Sequence, residues 1–483
     1  MSDSLSKTPQ PALKPMNFST KLAYGAGDLG PAITANILAF FLLFFFTSVA
    51  GMNAAVAGSI LMVGKIWDAI NDPIVGVMSD RTRSHRWGRR YPWMLLGAIP
   101  FGLTFFLQWI VPKFSDDPAV NQTGLLWYYI IIAILFNTFY TMVNLPYTAL
   151  TPELTQDYNE RTSLNSFRFT FSIGGSILSL ILAQVIFAVV PQPSERYLIL
   201  GAVCAILSTV PLYWCVFGTR DRSHEVALHN PQFVGDVEES LPYLEQLKIV
   251  FTNRPFLFVI GIYLCSWLGV QVTSAILPYF VVDWMRQDAS VFTYVALAVQ
   301  GTALPMLFVW SRVSARYGKK AVYFMGMVLW IIAQAGLFFL QPSQSLLMWP
   351  LAIMAGFGVS TAYLIPWSMI PDVIELDELN TGQRREGIFY GFMVLLQKVG
   401  LAIGLFLVGQ ALDAAGYIES TGGAPPVQPE SALFAIRLAI GPIPTLALIC
   451  GLALAYFYPI TREVHAEILL KLQERKQQQA ENS

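Results

Sequence analysis

"ITANILAFFLLFFFTSVA", Ile33 to Ala50, runs for eighteen residues without a charge. A helix crosses a bilayer with about 20 such residues, and 18 with few charges meets the usual criterion. "LWYYIIIAILF", Leu126 to Phe136, is a second run of the same kind. The whole chain follows suit. Its 483 residues are 55% hydrophobic and 13% charged, where soluble proteins carry about 25% charged residues. Twelve spans are predicted, near 20–48, 53–79, 91–112, 125–150, 164–190, 197–218, 255–282, 290–311, 320–341, 347–370, 387–412 and 432–459. The expected fold is an all-α membrane protein with two six-helix halves, 20–218 and 255–460. A cytoplasmic tail, 1–19, precedes them, a central cytoplasmic loop, 219–254, divides them, and a tail, 461–483, follows.

Orientation follows from Lys and Arg, which favour the cytoplasmic side. With the N-terminus inside, 23 of the 30 Lys and Arg residues fall in the tails and the even-to-odd connections. The opposite loops carry only Lys113, Arg196 and Arg286. Lys65, Arg168, Lys398 and Arg437 lie within spans. Both termini are therefore expected in the cytoplasm. The first 17 residues have no apolar core, so no cleavable signal peptide is expected. A net charge of −1 gives no bulk attraction to nucleic acid. Cys204, Cys215, Cys265 and Cys450 sit in apolar segments without metal-like spacing and read as buried small hydrophobes. The four histidines fall in polar segments, which excludes a histidine relay within the membrane.

The halves echo each other. "SDRTRSHRWGRRYPW" follows span 2 and "SRVSARYGKKAVY" follows span 8, each a basic turn with Gly before two cations. Duplication of this kind marks transporters whose substrate site lies between the repeats.

"KIWDAINDPIVG", Lys65 to Gly76, places ionisable groups in span 2. Such groups cost about 2.5–3.5 kcal/mol each on insertion scales and are functional candidates by default. Asp68 and Asp72 are one turn apart and face the same way, with Asn71 on the adjacent stripe. At about 6 Å they repel by roughly 3 kcal/mol at an effective dielectric of 20, so something must neutralise them. A bound Na⁺ ion, a proton, or Lys65 or Lys398 would do so. Residue types alone leave cation site and structural salt bridge open. Pro73 weakens this helix and frees a carbonyl one turn back.

Together, "KLAYGAGDLG", "KIWDAINDPIVG", "RWGRRYPW", "NLPYTALTPELTQDYNERTSLNSFR", "RREGIFYGF" and "LLQKVG" resemble the glycoside–pentoside–hexuronide:cation symporters of the major facilitator superfamily, over about residues 20–460. The resemblance implies a cation site of Asp68, Asn71, Asp72 and Thr141, with Asp68 and Asp72 holding Na⁺ (H⁺ and Li⁺ being the alternatives). It implies that Lys398 links cation occupancy to conformation and that Arg168 stands beside a sugar pocket. It also implies that Asp80, Arg81, Arg89 and Arg90 close the cytoplasmic side. The chain departs from the melibiose permease at the acids that grip galactosyl hydroxyls, which read Ala32 and Asn144 here, and at the ring-packing aromatic, which reads Thr148. Further candidates for solute contact are Asn144, Tyr147, Trp367 and Gln397.

The expected function is a cation-coupled symporter for a sugar or glycoside, working by alternating access as a monomer in the plasma (inner) membrane, with no cofactor. A lysophospholipid or other amphiphile is the alternative solute, and a membrane sensor the remoter class. Asp28 in "GAGD" matches an intramembrane aspartyl protease motif, but no "PAL" element follows it. The glycines there read as close helix packing. "DVEESLPYLEQLKIVF" and "REVHAEILLKLQERKQQQ" have helical apolar spacing and are expected as amphipathic surface helices, and "DELNTGQRREG" as a second gating segment.

Overall fold

The computed structural model describes residues 15–82, 84, 86–155, 158–229, 243–382, 385–420 and 426–481. These residues form helices and no strand. The first half contains α1 (Phe18–Ser48), α2 (Ala54–Arg81), α3 (Tyr91–Leu107), α4 (Pro118–Thr148), α5 (Tyr158–Val189) and α6 (Pro193–His229). A short helix, α7 (Tyr243–Thr252), leads into the second half. That half contains α8 (Arg254–Trp284), α9 (Ala289–Tyr317), α10 (Lys319–Phe339), α11 (Met348–Thr381), α12 (Glu386–Ala414) and α13 (Glu430–Phe457). The chain ends on α14 (Arg462–Glu481).

Each predicted span has its helix. Ten are long and apolar enough to cross a membrane by length and composition. The other two are α3, which is apolar but has 17 residues, and α2, whose Lys65, Asp68, Asn71 and Asp72 dilute its apolar character. Large apolar side chains such as Leu96, Val189 and Phe339 are exposed on the outside. That is the arrangement expected where lipid is the solvent, because backbone polar groups are satisfied within each helix.

The structure adds to the sequence expectations at three places and changes one of them, the cysteines. The segment 219–254 opens as a helix, because α6 runs on past residue 218 to His229. Arg222 sustains this extension by pairing with Glu225 at 3.0 Å on the next turn and with Glu160 at 3.8 Å. The expected amphipathic helix of this loop is described from Tyr243 onward, and residues 236–242 lie outside the described residues. Finally, Cys450 is exposed on α13 and Cys265 half-exposed, since apolar residues of a lipid-facing helix need no protein cover.

Within the halves, α1 packs on α5 and α6, α3 on α4 and α6, α8 on α11, α12 and α13, and α10 and α9 on α11. Between the halves, α2 packs along α12, α5 meets α9, and α1 meets α8. Hydrogen bonds between the halves gather at the end opposite the basic loops. Ser420 N–H donates to Thr47 O at 2.9 Å, Thr47 and Tyr279 hydroxyls meet at 2.7 Å, and Ala54 N–H donates to Glu419 at 3.3 Å. Gln300 donates to Asn36 at 2.8 Å. At the basic end the described ion pairs lie inside one half or the other: Arg89 and Arg90 with Glu153, Lys319 with Asp372, and Arg385 with Asp377.

The duplication predicted from the basic turns is visible in the backbone. Gly88 and Gly318 both adopt positive φ, +69° and +85°, a conformation that favours glycine. The cations after each glycine reach an acid of their own half, Glu153 just beyond α4 and Asp372 on α11. These acids close matching segments, "PYTALTPE" (146–153) and "PWSMIPD" (366–372).

Candidate functional site

The seam between α2 and α12 carries the acid pair. Asp68 is 1% exposed. Lys398, from the other half, donates to Asp72 Oδ2 at 2.5 Å and stands 3.0 Å from Asp68 Oδ2. Thr141 on α4 places its hydroxyl 3.2 Å from Asp68 Oδ1 and 3.0 Å from Asp72 Oδ1. Lys65 is more distant, 3.8 Å from Asp68 Oδ2, and reaches Asn137 at 3.5 Å. Both acids, which helical spacing sets on one face, thus meet Thr141 and Lys398, which the resemblance named, in one cluster.

Two details bear on its chemistry. A threonine hydroxyl has one proton to donate, yet Thr141 Oγ1 lies at hydrogen-bond distance from two carboxylate oxygens. One of those contacts is therefore oxygen against oxygen, a place that favours a positive charge. Asn71 is 4% exposed, and its Nδ2 has no hydrogen-bond partner among the described residues. An idle buried donor costs roughly 1–3 kcal/mol. The oxygens of Asp68, Asp72 and Thr141 are hard donors, suited to a monovalent cation, and Lys398 meets the Oδ2 atoms of both acids where Thr141 meets the Oδ1 atoms.

A second charged pair was missed by sequence reading. Asp28, 6% exposed on α1, accepts from Arg168 Nε at 3.4 Å across to α5. Arg168 also lies over the Tyr147 ring, 5.8 Å from its centroid. The available signal was an intramembrane acid and an intramembrane arginine in one half, each costly alone. Tyr147 is fully buried, stacks on Tyr24 with ring centres 5.2 Å apart, and donates to Tyr24 O at 2.9 Å. Asn144 and Gln397 are half-buried. Trp367 stacks on Tyr390 with centroids 6.1 Å apart and meets Tyr263 edge-on.

Of the residues expected to gate, Arg89 and Arg90 both reach Glu153 at 3.3 Å, and Arg90 donates to Ser79 at 2.8 Å. Arg81 is exposed at the end of α2, and the Asp80 side chain lies outside the described residues. Glu153, as the acid shared by both arginines, was also missed.

Two helical halves around a charged, polar seam define a membrane transporter rather than an enzyme. The chain belongs to the MFS/sugar transport protein family, whose model matches residues 23–462. It is 54% identical to an uncharacterized symporter of Synechocystis, sll1374, over 96% of this chain and 98% of that one. It is 27% identical to the sodium-dependent lysophosphatidylcholine symporter 1-A of Danio rerio, over 92% and 86% of the two chains. Its fold matches the xylose transporter XylE from E. coli in a partially occluded inward-open conformation. The TM-score is 0.61 at 14% identity, covering 92% and 98% of the chains. The protein is a symporter of this family, a multi-pass integral membrane protein that carries a small solute.

Proposed function

We propose that the protein couples the inward movement of Na⁺ to the uptake of a sugar or glycoside by alternating access. The observation that carries this reading is the shared seat of Lys398. Its ammonium, from the second half, stands on two carboxylates of the first. A cation bound between Asp68, Asp72 and Thr141 would supply the charge that Lys398 now supplies. Lys398 would then be released, altering the contact between the halves. Cation occupancy and conformation become one equilibrium, and linkage requires the solute to tighten cation binding by the same factor. Li⁺ suits the same oxygen donors, and a proton would serve the carboxylates alone.

The contacts between the halves near Thr47 and Glu419 support an orientation in which the cleft opens toward the basic loops, with both termini in the cytoplasm of a cell whose plasma (inner) membrane holds the protein. The Arg168–Asp28 pair, Asn144, Gln397 and the aromatic group around Trp367 are the side chains offered to the solute. The family description supports a sugar. The printed name of the Danio rerio relative favours a second reading, a lysophospholipid.

The test is uptake into proteoliposomes under an imposed Na⁺ gradient, with sugars and lysophospholipids offered separately. Accumulation of a sugar above equilibrium supports the first reading, and accumulation of a lysophospholipid the second. Uptake of either that ignores Na⁺, H⁺ and Li⁺ gradients refutes the coupling.

A further inference from the structure

We propose that Asp372, Glu375 and His465 form a site for a divalent transition-metal ion of the zinc class, which would fasten the C-terminal helix α14 to α11. The proposal does not depend on the identity of the solute. Asp372 and Glu375 are three residues apart on α11 and so share one face. His465 comes from the first turns of α14. One ligand atom from each lies within 4.8 Å of the other two.

The distances suit such an ion. Zinc binds imidazole nitrogen and carboxylate oxygen at about 2.0–2.2 Å, which sets tetrahedral donors roughly 3.3–3.5 Å apart. His465 Nε2 is 3.3 Å from Asp372 Oδ1. It is 2.6 Å from Glu375 Oε2, a hydrogen-bond length. Metal entry replaces the proton shared there, which leaves to solvent, and spreads that pair by roughly 0.7 Å. Glu375 and His465 are half-buried, so this movement is open to them, while Asp372 is buried.

Asp372 is also held from behind. Lys319 contacts both its oxygens, Oδ1 at 2.6 Å and Oδ2 at 2.8 Å, and donates to Ser368 O at 2.6 Å. On metal binding Lys319 keeps Oδ2 and Ser368 O, leaving Oδ1 to the ion. That is the orienting role an outer partner has for a ligating carboxylate. With a neutral imidazole, two carboxylates and one ammonium leave the group one negative charge in excess, which favours a dication. Three protein ligands leave a fourth position for water.

The site joins elements that already meet. Ile468 and Leu472 of α14 are buried, Arg462 donates to Arg316 O at 2.7 Å, and Arg475 donates to Leu379 O near the end of α11 at 3.3 Å. The ion would add a bond between helices to what is otherwise an apolar and hydrogen-bonded contact.

The experiment is calorimetric titration of the full-length protein, purified without a polyhistidine tag and held in nanodiscs, with ZnCl₂. Co²⁺ absorption reports the coordination. One equivalent should bind saturably, with tetrahedral Co²⁺ bands and no competition from Mg²⁺. Affinity should fall at least tenfold in both His465→Ala and Glu375→Gln, and persist in Asp68→Asn. Glu375→Gln retains size and hydrogen bonding, so its loss of metal is not loss of fold. Zn²⁺ should also slow tryptic cleavage after Lys471 severalfold in the unaltered protein. Absence of saturable binding, or binding that survives either variant, overturns the site.

Discussion

Replacing Lys398 with alanine tests whether its ammonium and the coupling ion compete for one seat. Lys398 Nζ is 2.5 Å from Asp72 and 3.0 Å from Asp68. At an effective dielectric of about 20, unit charges at those distances attract by roughly 7 and 6 kcal/mol before desolvation. Desolvation removes most of that, and breaking a buried pair costs roughly 3–5 kcal/mol. A Na⁺ ion that must displace the ammonium meets this cost, and in Lys398→Ala it does not. Relief of even about 1.4 kcal/mol is tenfold in affinity, and about 2.8 kcal/mol is a hundredfold. Na⁺ should therefore bind Lys398→Ala at least about tenfold more tightly. Intrinsic fluorescence offers the assay, since Trp67 neighbours Asp68 and is fixed by a 2.8 Å bond to Thr138. Solute exchange should persist while Na⁺-driven accumulation is lost. Weaker or unchanged Na⁺ binding would refute the competition and return the cluster to a structural salt bridge.

Asp68→Cys or Asp72→Cys should abolish Na⁺ stimulation of uptake while the protein still reaches the membrane, as immunoblotting of membrane fractions can check. Thr141→Val keeps shape but removes the oxygen shared by both acids. Na⁺ affinity should fall about tenfold, on the roughly 1–3 kcal/mol scale of a lost buried partner, and retained affinity in a Na⁺ titration would remove Thr141 from the site. Asp28→Asn leaves Arg168 without its carboxylate. It should raise the KM for solute at least severalfold with little change in Na⁺ affinity, and equal effects on both would mean general damage. Gly409→Leu would drive a side chain toward Ala54 O, 2.5 Å from an added Cβ. It should lower Tm by several degrees and shift the accessibility of a cysteine introduced at Thr47, with no change in either refuting close helix contact there.

The fold was legible because lipid imposes one rule on every span, a long apolar run, and the chain breaks that rule only where it has a reason. α2 is the clearest case. Its polar residues make it fall short as an apolar span, and Asp68 and Asp72 among them carry the charged cluster with Lys398. Asp68, Asp72, Thr141 and Lys398 could be named in advance because helical spacing fixes the first two and the resemblance supplied the others. Asp28 was left without a role for want of a partner: Arg168 lies on α5, and no spacing rule links helices so distant in sequence. Tyr147 was named for solute contact, and its ring is buried against Tyr24, a packing no sequence pattern announces. Helix ends were equally hidden. The extension of α6 to His229 rests on Arg222 pairing with Glu225 and Glu160, which hydropathy does not register.

Gly58 and Gly409 approach closely, an added Cβ on Gly58 lying only 3.1 Å from the Gly409 Cα, and so fasten α2 to α12 at one point. At about 1.5 Å per residue, Asp68 sits roughly 15 Å along α2 from that point and Arg81 roughly 35 Å. If α2 and α12 turn about that point, a displacement of 1 Å at the acid pair becomes more than 2 Å at the far end. An ion has a short stroke, little more than the difference between its own contacts and those of an ammonium. If the proposed coupling ion shifts the acid pair, this lever arm more than doubles that stroke at the basic end of α2.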